Sequence, residues 1–346
     1  MIEYREQEQA PSAAEWDQFA SRFRDRNQFQ DHAYAEFERT PSLAIYRSVL
    51  TDGPRPLAMG QGILKEAGFV RAAVLMMRGG PLYQSTGSEQ ADLKNLRKYL
   101  QQLIDAMTSR YRFFYINMIQ HCEISVNAGI LLRETGWTKP MLERAPYITY
   151  IVPISRDWDQ NLMAFDAKWR NQLRQAEGLS PVFEYGNSAA LIERYVRLHN
   201  VMCRIKSIGN FSLTVEGLTR MQQRLGENLQ FLIGTYQGED VCGCTVGMSG
   251  PKAYYYYAAA NELGRSKYFS NALVAKLMQE LGSRGIAELD LMGIDPRRNW
   301  GGYHFKKGTG GRPVEYLGEW EYASHAFLKP LINIPLYQRV IRMYRS

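Results

Sequence analysis

The sequence predicts an α+β fold in two similarly ordered halves, and three observations carry that prediction. Strand-like segments come in runs instead of each being followed by a helix. One order of elements (strand, strand, strand, helix, strand) occurs twice, in residues 43–119 and 229–293. The 346 residues, 45% of them apolar, supply material for about two domains of roughly 150 residues each. Runs of strands point to antiparallel meanders packed against helices and away from an alternating βα barrel. Residue identity between the halves is negligible, so the repeat is one of structure. The expected division is 1–155 and 156–346, with the boundary in the ISRDWDQ stretch and a basic helical tail ending the second domain.

In the first half, LAIYRSVL, PLAMGQGILK and FVRAAVLMM read as three strands separated by TDGPR and EAG, both rich in turn-forming residues. A helix is predicted from Ser88 to Arg110, because Leu93, Leu96, Leu100, Leu103, Ile104 and Met107 recur at three- and four-residue spacings behind Ser88 as N-cap. FFYINMI is a short strand, Ser125 to Glu134 a second helix stopped by Gly136, and YITYIVPI a further strand.

The second half opens with FDAKWRNQLRQAEG, where Phe165, Trp169, Leu173 and Ala176 keep helical spacing and Gly178 marks the stop. Helices over Ala189–Cys203 and Thr214–Gly226 lead into the strands LQFLIGTY, DVCGCTVGM and KAYYYYAAA. A helix from Ser266 to Arg284 precedes the strand AELDLMG.

Composition narrows the function classes. Collagen, coiled coil and disordered tail are excluded. Lys plus Arg number 42 against 35 Asp plus Glu, a formal +7 that favours an anionic partner without naming one. Cys122, Cys203, Cys242 and Cys244 show no zinc or CxxC spacing, so they read as reduced structural thiols and no metal site is expected. The polar N-terminus has no signal-peptide core, and no apolar run approaches the ~18 residues of a membrane span, so the expectation is a soluble, cytoplasmic protein.

Three segments could carry chemistry. Tyr254 to Tyr257 should alternate faces in a strand, so that one outward pair, Tyr255 and Tyr257, offers ring faces and hydroxyls to a ligand. From Arg297 to Arg312 there are five basic residues, no acidic one and five glycines, interleaved with Trp300, Tyr303, His304 and Phe305. That glycine density argues for a loop that brings backbone and cations close to an anion. Within it Lys306 and Lys307, read as strand neighbours, should point opposite ways, one into a site and one into solvent. Lys168, Arg170 and Arg174 on one helix, with Arg204 and Lys206 after the next, form further cation clusters that fit a diphosphate or polyanion. Asp290, at the end of AELD, is the candidate general base, with a turn cap as its structural alternative.

Taken together these segments resemble the FemXAB family of tRNA-dependent aminoacyltransferases. The likeness lies in the Trp-Arg-Asn helix (Trp169 to Glu177), Arg204 closing a helix, the tyrosine-rich strand, the Asp-x-x-Gly turn from Asp290 to Gly293, and the Gly-Tyr-x-Phe-Lys-Lys-Gly run from Gly302 to Gly308. Val314-Glu315-Tyr316 and Gly318-Glu319 follow it, and NQFQDHAY is similar to the family's Phe-x-Gln entry motif. His32 to Glu38 holds no lysine where the family carries one.

The resemblance implies two tandem GNAT-like domains, each a mixed, mostly antiparallel sheet flanked by helices. It implies transfer of an amino acid from aminoacyl-tRNA to an amine of UDP-MurNAc-pentapeptide or lipid II, in cell-wall biogenesis and maintenance of cell shape. No cofactor is then needed beyond the aminoacyl-tRNA co-substrate. Lys306 is implied as the lysine supporting acyl transfer and Arg204 as the arginine holding the substrate diphosphate. Lys206, Arg170, Arg174, Tyr255, Tyr257, Tyr303, Phe305 and Lys307 complete the expected binding set. A monomer is expected, with peripheral contact at the inner membrane face through the basic tail from Lys329. Two other readings use the same features: an acetyl-CoA N-acyltransferase, which needs a pyrophosphate loop where GRSKYFSNAL stands, and a non-catalytic RNA-binding module.

Overall fold

The structure, a computed structural model, describes residues 2–6, 9–141, 147–205 and 213–335. In chain order the first elements are β1 (Ile2–Glu6), α1 (Ala13–Ala20), α2 (His32–Glu38), β2 (Ala44–Asp52), β3 (Arg55–Ala67), β4 (Ala72–Arg78), α3 (Glu89–Arg110), β5 (Phe113–Glu123) and α4 (Val126–Glu134). Then come β6 (Ile148–Pro153), α5 (Trp158–Ala164), α6 (Ala167–Glu177), β7 (Val182–Gly186), α7 (Ala189–Ile205), α8 (Val215–Leu225), β8 (Leu229–Tyr236), β9 (Glu239–Ser249) and β10 (Lys252–Ala260). The last are α9 (Glu262–Ser266), α10 (Phe269–Ser283), β11 (Glu288–Asp290), α11 (Trp300–Lys307) and β12 (Arg312–Ala323).

Packing divides the chain into two units. The first runs to Tyr147 and takes back the chain from Glu315; the second is Ile148–Val314. This corrects the single boundary expected at 155/156. Strand β6 pairs antiparallel with β11 through Ile151 and Asp290, and β12 pairs antiparallel with β5 through Glu319 and Ile119. Each unit is therefore closed by a strand from a distant part of the chain.

In the first unit β1, β2, β3 and β4 pair antiparallel in sequence, β5 joins β4 in parallel after α3, and β12 adds to β5. Leu96, Leu100, Leu103 and Met107 of α3 are fully buried against this sheet, as their spacing predicts. Ser88 occupies the N-cap position, but its side chain makes no capping bond. The buried Asp92 carboxylate does related work one turn later, accepting from Ser85 N, Thr86 N and Thr86 Oγ1 at 3.1, 2.9 and 2.7 Å.

The second unit repeats the pattern. Strands β7, β8, β9 and β10 pair antiparallel, β11 joins β10 in parallel after α10, and β6 adds to β11. Trp169, Leu173 and Ala176 of α6 share one core with Phe269 to Leu281 of α10 and with Cys242 and Cys244 of β9. The intervening Gly243 faces α7, where an added Cβ would lie 3.2 Å from Tyr195, so β9 is packed on both faces. All four cysteines are buried thiols. Burial pushes Cys122 up to about 12, which keeps it protonated and inert at neutral pH.

Two local expectations are corrected. Strict alternation of the four tyrosines fails because β10 carries a bulge: Tyr255 opposes Val246, but Tyr257 opposes the very next residue, Thr245. Tyr254 and Tyr255, regularly paired ahead of the bulge, are both buried because helices cover both faces of β10. The 297–312 stretch is not all loop, since Trp300–Lys307 is helical. Asn299 caps it by accepting from Gly302 N at 3.0 Å. Glycines crowd the first turn and the segment past the C-cap, leaving Tyr303–Lys307 as an uninterrupted helical run.

Among the described residues no helix is long and apolar enough to cross a membrane, and no cluster of three or more His, Cys, Asp or Glu could hold a metal ion.

Candidate functional site

Strands β10 and β11 pair for three residues only, ending at Tyr254 opposite Asp290. Beyond that point they part. A cavity of about 790 Å³ opens there, lined wholly by the second unit, where parallel strands of α/β sheets commonly present ligand sites: at their carboxyl ends. Its walls are the bulged segment of β10 (Tyr255, Tyr256), the start of α10 (Ser270, Asn271), α6 (Lys168, Trp169, Gln172) and α11 (Gly301, Gly302, His304, Phe305, Lys306).

Lys306 is the best-defined group. Its Nζ donates to Met292 O at 3.0 Å and Gly293 O at 2.9 Å. An ammonium has three protons, so two are committed to the turn and one remains for a ligand in the cavity. Burial pulls the group down to about 8, against the opposing pull of the Asp290 charge. At neutral pH it is still mostly charged, and a more acidic donor than an ordinary lysine.

The turn holding Lys306 is itself built by Asp290. Met292 has φ +58, a left-handed conformation unfavourable for a residue with a Cβ. Asp290 Oδ1 stabilises it by accepting from Met292 N at 2.7 Å and from Thr149 Oγ1 at 2.5 Å. Asp290 is buried and does not line the cavity. The turn-cap alternative therefore describes its place, and the general-base assignment does not.

Helix α11 is seated by α6. Gly308 packs so closely on Trp169 that a Cβ would lie 2.7 Å from the indole Cδ1. Trp169 also meets Phe305 at 6.0 Å and Phe165 at 4.2 Å between ring centroids. Neighbours in a helix diverge by about 100°, so Lys306 turns inward and Lys307 is exposed. The divergence expected of the pair is real, but its cause is helical.

Of the other sequence-derived candidates, Tyr255 and Phe305 line the cavity. Tyr257 lies instead toward α7, its ring 6.4 Å from His199. Tyr303 stacks within the α11 aromatic group, 5.8 Å from Trp300. Arg170 folds back onto the carbonyls of Phe165 and Met163, which end α5, and so ties α6 to the helix before it. Arg174 and Arg204 are exposed and do not line the cavity. Lys206 lies outside the described residues, as does the basic tail from residue 336.

Lys168, Arg265, Asn271 and Tyr256 line the cavity. Lys168 was legible as a helix cation. Arg265, whose Nη1 bonds Ala260 O at 2.9 Å, and Asn271 had no signal beyond their position beside α10. Two cations besides Lys306 face one lining carboxylate, Asp166, a balance that suits an anion.

No protein-family model and no curated protein sequence matches the chain. Among solved structures it is similar to FemX, with 15% identity, a TM-score of 0.76, and coverage of 96% of this chain and 98% of that one. It is similar to the L-PGS from Bacillus licheniformis at 13% identity and a TM-score of 0.54, over 96% and 97% of the two chains. A tandem GNAT protein from the clavulanic acid biosynthesis pathway aligns at 9% identity and a TM-score of 0.52, over 94% and 99%. These likenesses establish the fold: the chain has the tandem GNAT-like architecture of FemX.

Proposed function

We propose that the protein is an acyltransferase that moves an amino acid from aminoacyl-tRNA to an amine of a peptidoglycan precursor, UDP-MurNAc-pentapeptide or lipid II. It would act in the cytoplasm, peripherally at the membrane when the acceptor is lipid-linked. The observation that carries the reading is Lys306, anchored on two carbonyls at the wall of a cation-lined cavity with one donor left over. The fold shared with FemX, and the sequence run from Gly302 to Gly308, support it.

In the reaction the acceptor amine attacks the ester carbonyl carbon, a C–N bond forms and a tetrahedral oxyanion develops. The remaining Lys306 proton is aimed at charge that exists only near the transition state. As the C–O bond breaks, the proton lost by the amine ends on the departing ribose hydroxyl. Asp290 acts through the Met292–Gly293 turn, as a positioning residue for Lys306. Incubation with a mixture of charged tRNAs and either acceptor, read by mass spectrometry of the acceptor, tests the proposal. A mass gain of one aminoacyl residue is expected, and its absence with every amino acid and both acceptors would reject it.

One observation favours a second reading, transfer from acetyl-CoA. Ser270 and Asn271, at the start of α10, line the cavity, where a helix N-terminus would face a pyrophosphate. The preceding Tyr268 is left-handed, with φ +57, in place of the glycine such a loop favours. Calorimetry separates the readings, since micromolar acetyl-CoA affinity supports only the second.

A further inference from the structure

Helix α11 presents a surface that the chemistry of Lys306 does not use. Trp300, its first residue, is 64% exposed, unusual for a side chain with so much apolar area. The indole is held edge to face on His304, with centroids 4.3 Å apart, and tilted on Tyr303 at 5.8 Å. His304 lines the cavity, so this aromatic group stands at its rim.

Two glycines follow Trp300, and they differ. At Gly302 an added Cβ would lie 2.4 Å from the Asn299 side chain that caps the helix, so packing within the protein accounts for it. At Gly301 nothing lies within 4 Å of that position, and its φ is not positive. A helical glycine costs about 1 kcal/mol relative to alanine, and no contact among the described residues requires this one. Gly301 also lines the cavity. Bare backbone beside an exposed indole lets a flat group lie close against the helix.

The surrounding charge is positive. Arg297, Arg298 and Lys307 are exposed on this stretch, and its one carboxylate, Asp295, pairs with Arg298 at 3.7 Å.

We propose that Trp300 and the bare backbone at Gly301 form a stacking platform for a nucleobase at the rim of the Lys306 cavity, with Arg297 and Lys307 placed for the attached phosphates. Base and phosphate together could come from a single-stranded RNA end or from a nucleoside diphosphate. The proposal rests on the transferase reading only for which of these the protein meets.

The test uses the full chain and two probes, a short 5′-fluorescein RNA ending in CCA followed by anisotropy and UDP followed by calorimetry. Trp300→Ala should weaken at least one probe about tenfold or more, the range of base–aromatic stacking, and Trp300→Phe should restore most of it. Gly301→Ala should weaken the same probe while melting at or above the parent temperature. An effect on RNA alone assigns the platform to the donor, and an effect on UDP alone to the acceptor. Equal binding by parent and both variants, or no binding of either probe by the parent, would overturn the proposal. The transfer assay separates the two ideas. Transfer unaffected by Trp300→Ala removes the platform and leaves the transferase, whereas Trp300-dependent binding without transfer does the reverse.

Discussion

Lys306 Nζ lies 2.9 Å from the Gly293 carbonyl oxygen, and that bond ties the last turn of α11 to the turn that ends β11. The neighbouring Met292 carbonyl takes a second proton at 3.0 Å. Behind the pair stands Asp290, which holds Met292 in its left-handed conformation and is itself bonded by Thr149 of β6. The position of one ammonium is thus set by a strand pairing that brings residue 149 to residue 290.

Lys306→Met should lower turnover by about 10² to 10³, the loss typical of a removed oxyanion donor. Single-turnover rates with saturating acceptor measure it. Near-normal rates in a folded variant would reject the catalytic assignment.

The pH dependence has a definite sign. With its folded value near 8, the ammonium is lost above that pH, so transfer should fall as pH rises through about 8. Lys306→Arg stays charged there, so whatever activity it retains should keep no such limb. A rate profile flat to pH 9.5 in the parent would refute the ammonium role.

Stability should move the other way. The folded value lies below the 10.5 of an unperturbed lysine, so the unfolded chain binds more protons between about 8 and 10.5 and stability from this group rises with pH across that window. Below pH 8 the desolvation penalty is fully present. Lys306→Met should therefore lose the rise above pH 8, as thermal melts across pH would show.

Asp290→Asn and Asp290→Ala should separate charge from geometry. Asparagine can keep both acceptor bonds through its Oδ1 while losing the charge that raises the Lys306 value. The alkaline limb should then move to lower pH with little change in folding. Alanine leaves the buried Thr149 hydroxyl and Met292 N–H without this acceptor, at a cost of about 1–3 kcal/mol, and should lower both melting temperature and turnover.

Among the cations, Lys168→Ala and Arg265→Ala should raise KM for the anionic substrate, with the effect shrinking at high salt. Arg170→Ala should act on stability instead, because its guanidinium serves the carbonyls of Phe165 and Met163. Equal KM effects from all three would contradict the placement.

Legibility followed the range of the signal. Helices α3, α6, α7, α8 and α10 were readable because burial of one face writes a three- to four-residue period into a single segment. Helix α11 escaped because its glycines, averaged over Arg297 to Arg312, look like a loop, while their actual positions flank a helical run that begins at a good cap. The tyrosine strand was readable as a strand, but not its bulge, since a one-residue slip against Val246 and Thr245 depends on the partner strand. Lys306 stood out in sequence through its motif. Arg265 and Asn271 had none.

By itself the sequence determined the class of fold, the repeated order of elements, buried reduced thiols, a surplus of positive charge and Lys306 as the residue to examine. Those are properties of composition, local periodicity and a contiguous motif. Tertiary structure alone decided that β12 closes the first unit and β6 the second, that Tyr257 turns toward His199, that Arg170 ties α6 to the end of α5, and that Asp290 supports a turn. Each depends on pairing between residues far apart in the chain or on where two parallel strands part. A side chain's facing is set there by neighbours that no local window of sequence contains.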